Sequence, residues 1–191
     1  NKGNKPLTIR IPEAFAGMPV LAQFGPNPVG ANPPGNGRAP QNLGVGGPGG
    51  GGQPFQFGNN QNGNPGGFMD VPPGKTVKIR LPAVCLEYGK PTPSPTAPYK
   101  AVRLEKASSV VGLKAVVASL GSGDTDQRVA QLAAWHLANG KSWDSLAAMY
   151  IAKLGGRKIP EYSEDELSAA QTLVDKVKGK KQPAATAAAA K

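Results

Sequence analysis

The sequence predicts an α+β protein, and three observations lead to that prediction. Two short segments alternate like β-strands, and the chain after about Lys106 has the apolar spacing of helices. Between the two strand-like segments lies a stretch of Gly, Pro and Asn that has almost nothing to bury. We therefore expect four parts along the chain: an N-terminal strand segment (1–24), a linker (25–74), a strand with a helical domain (75–178), and a basic Ala/Lys tail (179–191).

The two strand-like segments are near copies of each other. "TIRIP" at 8–12 and "VKIRLP" at 77–82 alternate apolar, mostly β-branched residues with basic ones, and each stops at a proline. We predict one short strand at each position.

The segment 25–74 predicts a flexible or polyproline-like linker, because Arg38 and Asp70 are its only charged residues and little of it is apolar. Four larger apolar residues interrupt this composition: Phe55, Phe57, Phe68 and Met69. Two interpretations stay open for them. Either they dock onto the folded part or onto another subunit, or they are exposed side chains in a disordered linker.

Four helices are predicted in the C-terminal half, each from apolar residues at spacings of three and four. The last begins with a capping box, Ser163 with Glu166, and glycines follow the apolar periods of the others. The loops between them are short enough for a compact bundle. The predicted helices are 106–123, 124–140, 142–155 and 163–178.

The chain of 191 residues carries a formal net charge of +10, which attracts anionic polymers or surfaces at long range. Lysines near the C-terminus are the candidate anion-binding residues, because they neutralise phosphates without reading sequence. They are Lys176, Lys178, Lys180 and Lys181. A protein that binds nucleic acid through these lysines is therefore one functional hypothesis, and a merely solvated lysine tail is its alternative.

No run of roughly 18 to 20 apolar residues is present, so we expect no membrane span. The chain begins at Asn1 rather than Met, and we expect that a leader has been removed and that the protein is extracellular or on the cell surface.

No catalytic constellation is evident. "GVGGPG" at 44–49 fits G-x-G-x-x-G, but it lacks the preceding strand and following helix that phosphate binding requires. A metal site needs several converging ligands, and the chain has one cysteine and one histidine. A Cys85–His136 pair lacks a third residue to orient it. We therefore expect no enzyme activity, no metal and no cofactor.

The most informative residues are Cys85 and Gln131. Cys85 is the only cysteine and lies between Val84 and Leu86, directly after a predicted strand. Gln131 is in a predicted helix among apolar neighbours, with Trp135 one turn later on the same face. A half-buried amide must find a partner or cost stability.

These residues resemble the thioester domains of bacterial surface adhesins. In that family an apolar-Cys-apolar strand motif, often followed by Lys and Pro, is joined to the glutamine of a Thr-Gln-x-Ala-apolar-Trp helix. The matching segments here are Val84–Leu86 with Lys90 and Pro91, and "AQLAAW" at 130–135, in which Ala130 replaces the family's threonine. The resemblance covers about a tenth of the chain, and the glycine-rich linker is foreign to that family.

The resemblance implies that the Cys85 sulfur displaces ammonia from Gln131, which leaves an internal thioester that a partner's amine can open. Trp135 would shield the bond, and His136 is a further supporting candidate. The alternative is that Cys85 is a small buried apolar residue and Gln131 bonds to backbone. On this basis we expect a structural or adhesive protein, with a covalent surface partner or with self-association in a filament or layer.

Overall fold

The computed structural model describes residues 1–20, 41–47, 67–93 and 97–179. Within these ranges the chain folds as an α+β protein, which confirms the predicted fold class. The strands are β1 (Leu7–Arg10), β2 (Ala14–Pro19), β3 (Leu43–Gly46), β4 (Phe68–Val71), β5 (Ala83–Cys85), β6 (Tyr99–Val102), β7 (Tyr150–Ala152) and β8 (Lys158–Pro160). The helices are α1 (Leu104–Ala107), α2 (Leu113–Ser122), α3 (Gln127–Asn139), α4 (Trp143–Ala147) and α5 (Glu164–Gly179).

The main sheet has four antiparallel strands in the order β5-β3-β2-β6. In its register Leu43 of β3 lies opposite both Cys85 of β5 and Gly17 of β2. β5 is an edge strand of this sheet, so one row of its backbone N–H and C=O groups faces away from β3.

Helix α2 lies directly on β3, because small residues meet at the contact. A Cβ added to Gly121 of α2 would be 2.2 Å from the carbonyl oxygen of Gly47, and one added to Gly46 would be 2.5 Å from the Gly121 backbone. The main core lies between the helices and this sheet. Its residues with no exposed surface include Ala16, Val84, Leu113, Val116, Val117, Ala130, Ala133 and Ala134.

β1 and β4 form a separate two-stranded antiparallel ribbon in which Ile9 lies opposite Met69 and Arg10 opposite Phe68. The predicted linker therefore contains two strands, β3 and β4, and Met69 and Phe68 dock onto the chain's own N-terminal strand. The glycine-rich composition around β3 predicted a linker rather than a strand. In the structure, the glycines of this strand are the residues that let α2 pack closely against it. Phe55 and Phe57 lie outside the described residues.

The strand predicted at 8–12 appears as β1, whereas the one predicted at 77–82 is wrong, since β5 begins only at Ala83. The alternation itself is real: Ile79 and Leu81 are half-buried and line a cleft of about 700 Å³, while Lys78 and Arg80 are exposed. Alternation reports one-sided burial, but a strand also needs a neighbour to pair with.

The helices also differ in part from the prediction. The first predicted helix is divided into α1 and α2 by a turn at Gly112, whose φ is 88°. The third ends at Ala147, and the following residues form the β7–β8 hairpin, in which Ile151 lies opposite Ile159. Gly155 and Gly156, both with positive φ, occupy its turn rather than a helix end.

The last helix begins as predicted. The Ser163 backbone N–H donates to Glu166 Oε2 at 2.8 Å, and the Glu166 N–H donates to Ser163 Oγ at 3.2 Å, which is the reciprocal capping box. Most of the predicted basic tail, 180–191, lies outside the described residues. None of the helices in the described part of the chain is long and apolar enough to cross a membrane.

Candidate thioester site

The edge of β5 that faces away from β3 carries the backbone of Cys85. Pro82 and Leu86 bond toward β3: the Gly46 N–H donates to Pro82 O at 3.0 Å, and the Leu86 N–H donates to Asn42 O at 2.9 Å. Because these directions alternate along a strand, the N–H and C=O of Cys85 point outward. They require partners from another element.

Helix α3 supplies those partners. Its N-terminus is capped by Asp126, whose side chain accepts from the Arg128 N–H at 2.8 Å, and it ends at Gly140 in the left-handed conformation. Residues spaced four apart lie on one helical face. The face toward β5 carries Gln127, Gln131, Trp135 and Asn139.

Three amides on this face bind the backbone along β5 and just beyond it. We call this set the amide ladder: Gln127, Gln131 and Asn139. Gln127 Nε2 donates to Ala83 O at 2.9 Å, and Asn139 Nδ2 donates to Leu86 O at 2.9 Å. Asn139 Oδ1 also accepts from the Tyr88 N–H.

Gln131 is the member, or rung, of the ladder at Cys85, and it makes two hydrogen bonds to the backbone of that one residue. Gln131 Oε1 accepts from the Cys85 N–H at 2.8 Å, and Gln131 Nε2 donates to Cys85 O at 2.9 Å. The orientation of the carboxamide follows from these roles, since the backbone N–H only donates and the carbonyl only accepts. The carbonyl carbon Cδ is bonded to both Oε1 and Nε2, so it lies within about 4 Å of the Cys85 backbone N and O.

The structure thus brings together the two residues that the sequence paired. Strand β5 holds Cys85 and helix α3 holds Gln131, 46 positions later in the chain. Both side chains are half-buried, with the fully buried Val84 and Leu132 beside them in the sequence. The backbone bonding of Gln131, which was the alternative interpretation, is also observed.

Burial raises the pKa of the Cys85 thiol above its ordinary value of 9.0. At neutral pH the thiol is therefore mostly protonated, and only a small fraction is the nucleophilic thiolate. The pKa of Tyr99 is raised as well, first by burial and then by the charge that Cys85 would carry as a thiolate. Both raised pKa values favour the uncharged forms, the thiol of Cys85 and the phenol of Tyr99.

Trp135, one helical turn after Gln131 in α3, forms an aromatic pair with Tyr88. Their ring centroids are 5.1 Å apart in an edge-to-face arrangement, and Lys141 Nζ lies 3.9 Å from the Tyr88 ring centroid. The Trp135 indole nitrogen is buried and finds no acceptor among the described residues. Trp135 follows Gln131 by one helical turn and packs against the buried cluster that includes Leu132 and Leu146; its shielding role stays a prediction.

His136 lies on a different face of α3 from the pair it was expected to support. Its ring stacks on Trp143 with centroids 4.3 Å apart, and Nδ1 is 2.8 Å from Lys141 O. Lys178 Nζ lies 3.4 Å from Nε2. The imidazole thus contacts α4 and α5 rather than Cys85, because consecutive helix residues point about 100° apart.

Two of the four candidate anion-binding lysines lie in the described part of the chain, in α5 rather than in α3. Lys176 and Lys178 are exposed in the last turn of α5, on either side of the buried Val177. Cations at this position also complement the negative end of the helix dipole, so their placement has a structural explanation. Lys180 and Lys181 lie outside the described residues.

Sequence reasoning missed Gln127 and Asn139, the outer rungs of the ladder. The signal was present, since amides four and eight positions from Gln131 fall on its helical face.

Comparison of the chain with models of known protein families, with curated proteins and with solved structures found no match. The geometry of the ladder and the two short motifs are therefore the features of this chain that point to a function.

Proposed function

We propose that Cys85 and Gln131 form an internal thioester and that the protein uses it to attach covalently to an amine on a partner. The observation that carries the proposal is the double hydrogen bond between the Gln131 carboxamide and the Cys85 backbone. It holds an electrophilic carbon beside the residue that bears the chain's only thiol.

The chemistry of bond formation balances without a cofactor. The Cys85 sulfur attacks Gln131 Cδ, a C–S bond forms, the Cδ–Nε2 bond breaks, and ammonia leaves with the thiol proton. Negative charge develops on Oε1 during the attack. The Cys85 N–H, 2.8 Å from that oxygen in the unreacted amide, is a donor placed to stabilise the charge.

Shielding from water is the second requirement, because a thioester is lost to hydrolysis when it is exposed. The half-burial of Cys85 and Gln131 supplies part of this shielding. The buried Val84 and Leu86 point to the opposite face of the strand from the thiol, and Trp135 lies one helical turn after Gln131. An amine that opens the bond forms an amide with Cδ and returns the thiol to Cys85. The partner is then joined to Gln131 by a bond that survives denaturation.

A covalent amine anchor suits a secreted or cell-surface protein of structural or adhesive type, and we propose this setting. The resemblance of the two motifs to adhesin thioester domains supports it. The exposed β1 strand, with Leu7 and Ile9 on its surface, supports the related proposal that copies of the chain associate in a filament or layer.

Intact mass tests the thioester directly. Loss of ammonia lowers the mass by about 17 Da relative to the sequence, and opening with methylamine should leave one methylamine added per chain. Cys85→Ala and Gln131→Ala should each have the full sequence mass and should take up no methylamine.

Gln127→Ala is the matched control. It removes an amide from the same helical face and the same strand edge, but its partner is the Ala83 carbonyl and no thiol. The variant should keep the mass deficit. Wild-type protein of full mass with a freely titratable thiol would rule out the thioester. Gln131 would then have only the structural role of bonding to the Cys85 backbone.

A further inference from the structure

The two bonds at Cys85 use one particular hydrogen of the Gln131 carboxamide. Oε1 accepts from the Cys85 N–H at 2.8 Å while Nε2 donates to the Cys85 carbonyl at 2.9 Å. For both bonds to reach the same residue, the donated hydrogen must lie on the same side of the Cδ–Nε2 bond as Oε1. A primary amide has a hydrogen at that position.

A secondary amide in its usual trans form has no hydrogen at that position. In the trans form of a secondary amide the substituent carbon lies on the same side as the oxygen, which is where the donated hydrogen lies now. An N–C bond of about 1.45 Å directed at Cys85 O would put that carbon roughly 1.5 Å from the oxygen, deep inside van der Waals contact. The cis form would avoid the clash, but it is strongly disfavoured for amides of this kind.

We propose that the Cys85 backbone holds only an unsubstituted carboxamide, so that capture of a primary amine displaces Gln131 from the edge of β5. The inference rests on the proposed thioester. In the capture step the amine nitrogen bonds to Cδ, the C–S bond breaks, and the amine proton passes to the sulfur. The product is a secondary amide, which cannot return to the rung that the primary amide occupied.

The displacement should be local, because the neighbouring rungs do not depend on Gln131. Gln127 remains bonded to Ala83 O, and Asn139 remains bonded to Leu86 O and to the Tyr88 N–H. Compared with the unreacted amide, the captured product therefore leaves the N–H and C=O of Cys85 without Gln131, while the flanking contacts of α3 with β5 persist; the C=O has already lost its donor when ammonia leaves.

Hydrogen exchange at single amides, followed by NMR, tests the inference. The samples are protein opened with methylamine, protein opened with ammonia, and Cys85→Ala, which keeps the backbone groups and the primary amide of Gln131 but cannot form a thioester. Intact mass before and after exchange confirms that each opened sample remains open.

We expect the residue 85 amide to exchange about tenfold or more faster in the methylamine adduct than in the other two samples, since it has lost its acceptor. The Tyr88 amide, bound to Asn139, is the internal control and should exchange equally in all three. Equal protection of the residue 85 amide in the methylamine and ammonia adducts would overturn this inference but would not contradict the proposed thioester. Absence of the mass deficit in wild-type protein would overturn the proposed function and this inference with it.

Discussion

At the residue level, the proposed thioester depends on the environment of one thiol. Cys85 is half-buried, and its pKa is raised because burial disfavours the thiolate. The same burial would slow hydrolysis of the proposed thioester. Formation should therefore be slow at neutral pH, and the product should be long-lived.

The thiolate requirement gives a pH prediction. In protein refolded from denaturant, the rate of ammonia loss should rise by about tenfold per pH unit above pH 7, because the thiolate fraction rises in that proportion below the pKa. Since the pKa of Cys85 is raised, the rise should continue past its ordinary value of 9.0. Intact mass against time at each pH measures the rate, and a plateau reached below pH 8 would contradict the prediction.

At the scale of elements, the site exists because two packed elements hold each other in register. β5 pairs with β3, α2 lies on β3, and α3 lies across the outer edge of β5 through the amide ladder. The contact between α2 and β3 depends on Gly46 and Gly121, where neither backbone leaves room for a Cβ. A disturbance there is transmitted to Cys85 through β3.

Gly121→Ala should therefore lower the free energy of unfolding by about 2 to 3 kcal/mol, because the new Cβ would meet the Gly47 carbonyl oxygen at 2.2 Å and backbone cannot rotate away as a side chain can. Chemical denaturation measures the change. Gly179→Ala is the matched control, since a Cβ at Gly179 meets nothing within 4 Å. A stability equal to that of the control would show that the contact is less tight than the structure has it.

At the scale of the whole molecule, a second cluster joins the hairpin β7–β8 to the helices. Tyr162 follows the hairpin and is buried with Leu132 and Ala170. Arg128 of α3 lies over the Tyr162 ring, 4.6 Å from its centroid, and also pairs with Glu166 of α5. Burial raises the pKa of Tyr162 to about 12, and the charge of Glu161 acts in the same direction while Arg128 opposes it.

Tyr162 gives a prediction for alkaline stability. Its folded pKa of about 12 lies above the ordinary value of 10.0, so its contribution is complete below pH 10 and is lost as the pH rises toward 12. The free energy of unfolding should fall by about 3 kcal/mol over that window. Urea denaturation at each pH checks this, and Tyr162→Phe should flatten the alkaline decline. An equally steep decline in that variant would assign the loss to other groups.

The α+β class, the strand at the N-terminus and the capping box at Ser163 could all be predicted from the sequence, and so could the pairing of Cys85 with Gln131 as candidates. These features follow from local patterns: alternation, helical spacing, and side chains that bond to nearby backbone. The apolar neighbours of a lone thiol and of a helical amide are visible in the same way. Such signals need only a few consecutive residues.

Which strands pair, where β5 begins and what Gln131 binds became visible only in the folded chain. The alternation at 77–82 is present without a strand, and the glycines of β3 form one, because pairing depends on a neighbour distant in sequence. The ladder contacts go to backbone N–H and C=O groups, which every residue except proline possesses and which carry no sequence signature. The meeting of Cys85 with Gln131 is therefore a consequence of the packing of α3 against the edge of β5.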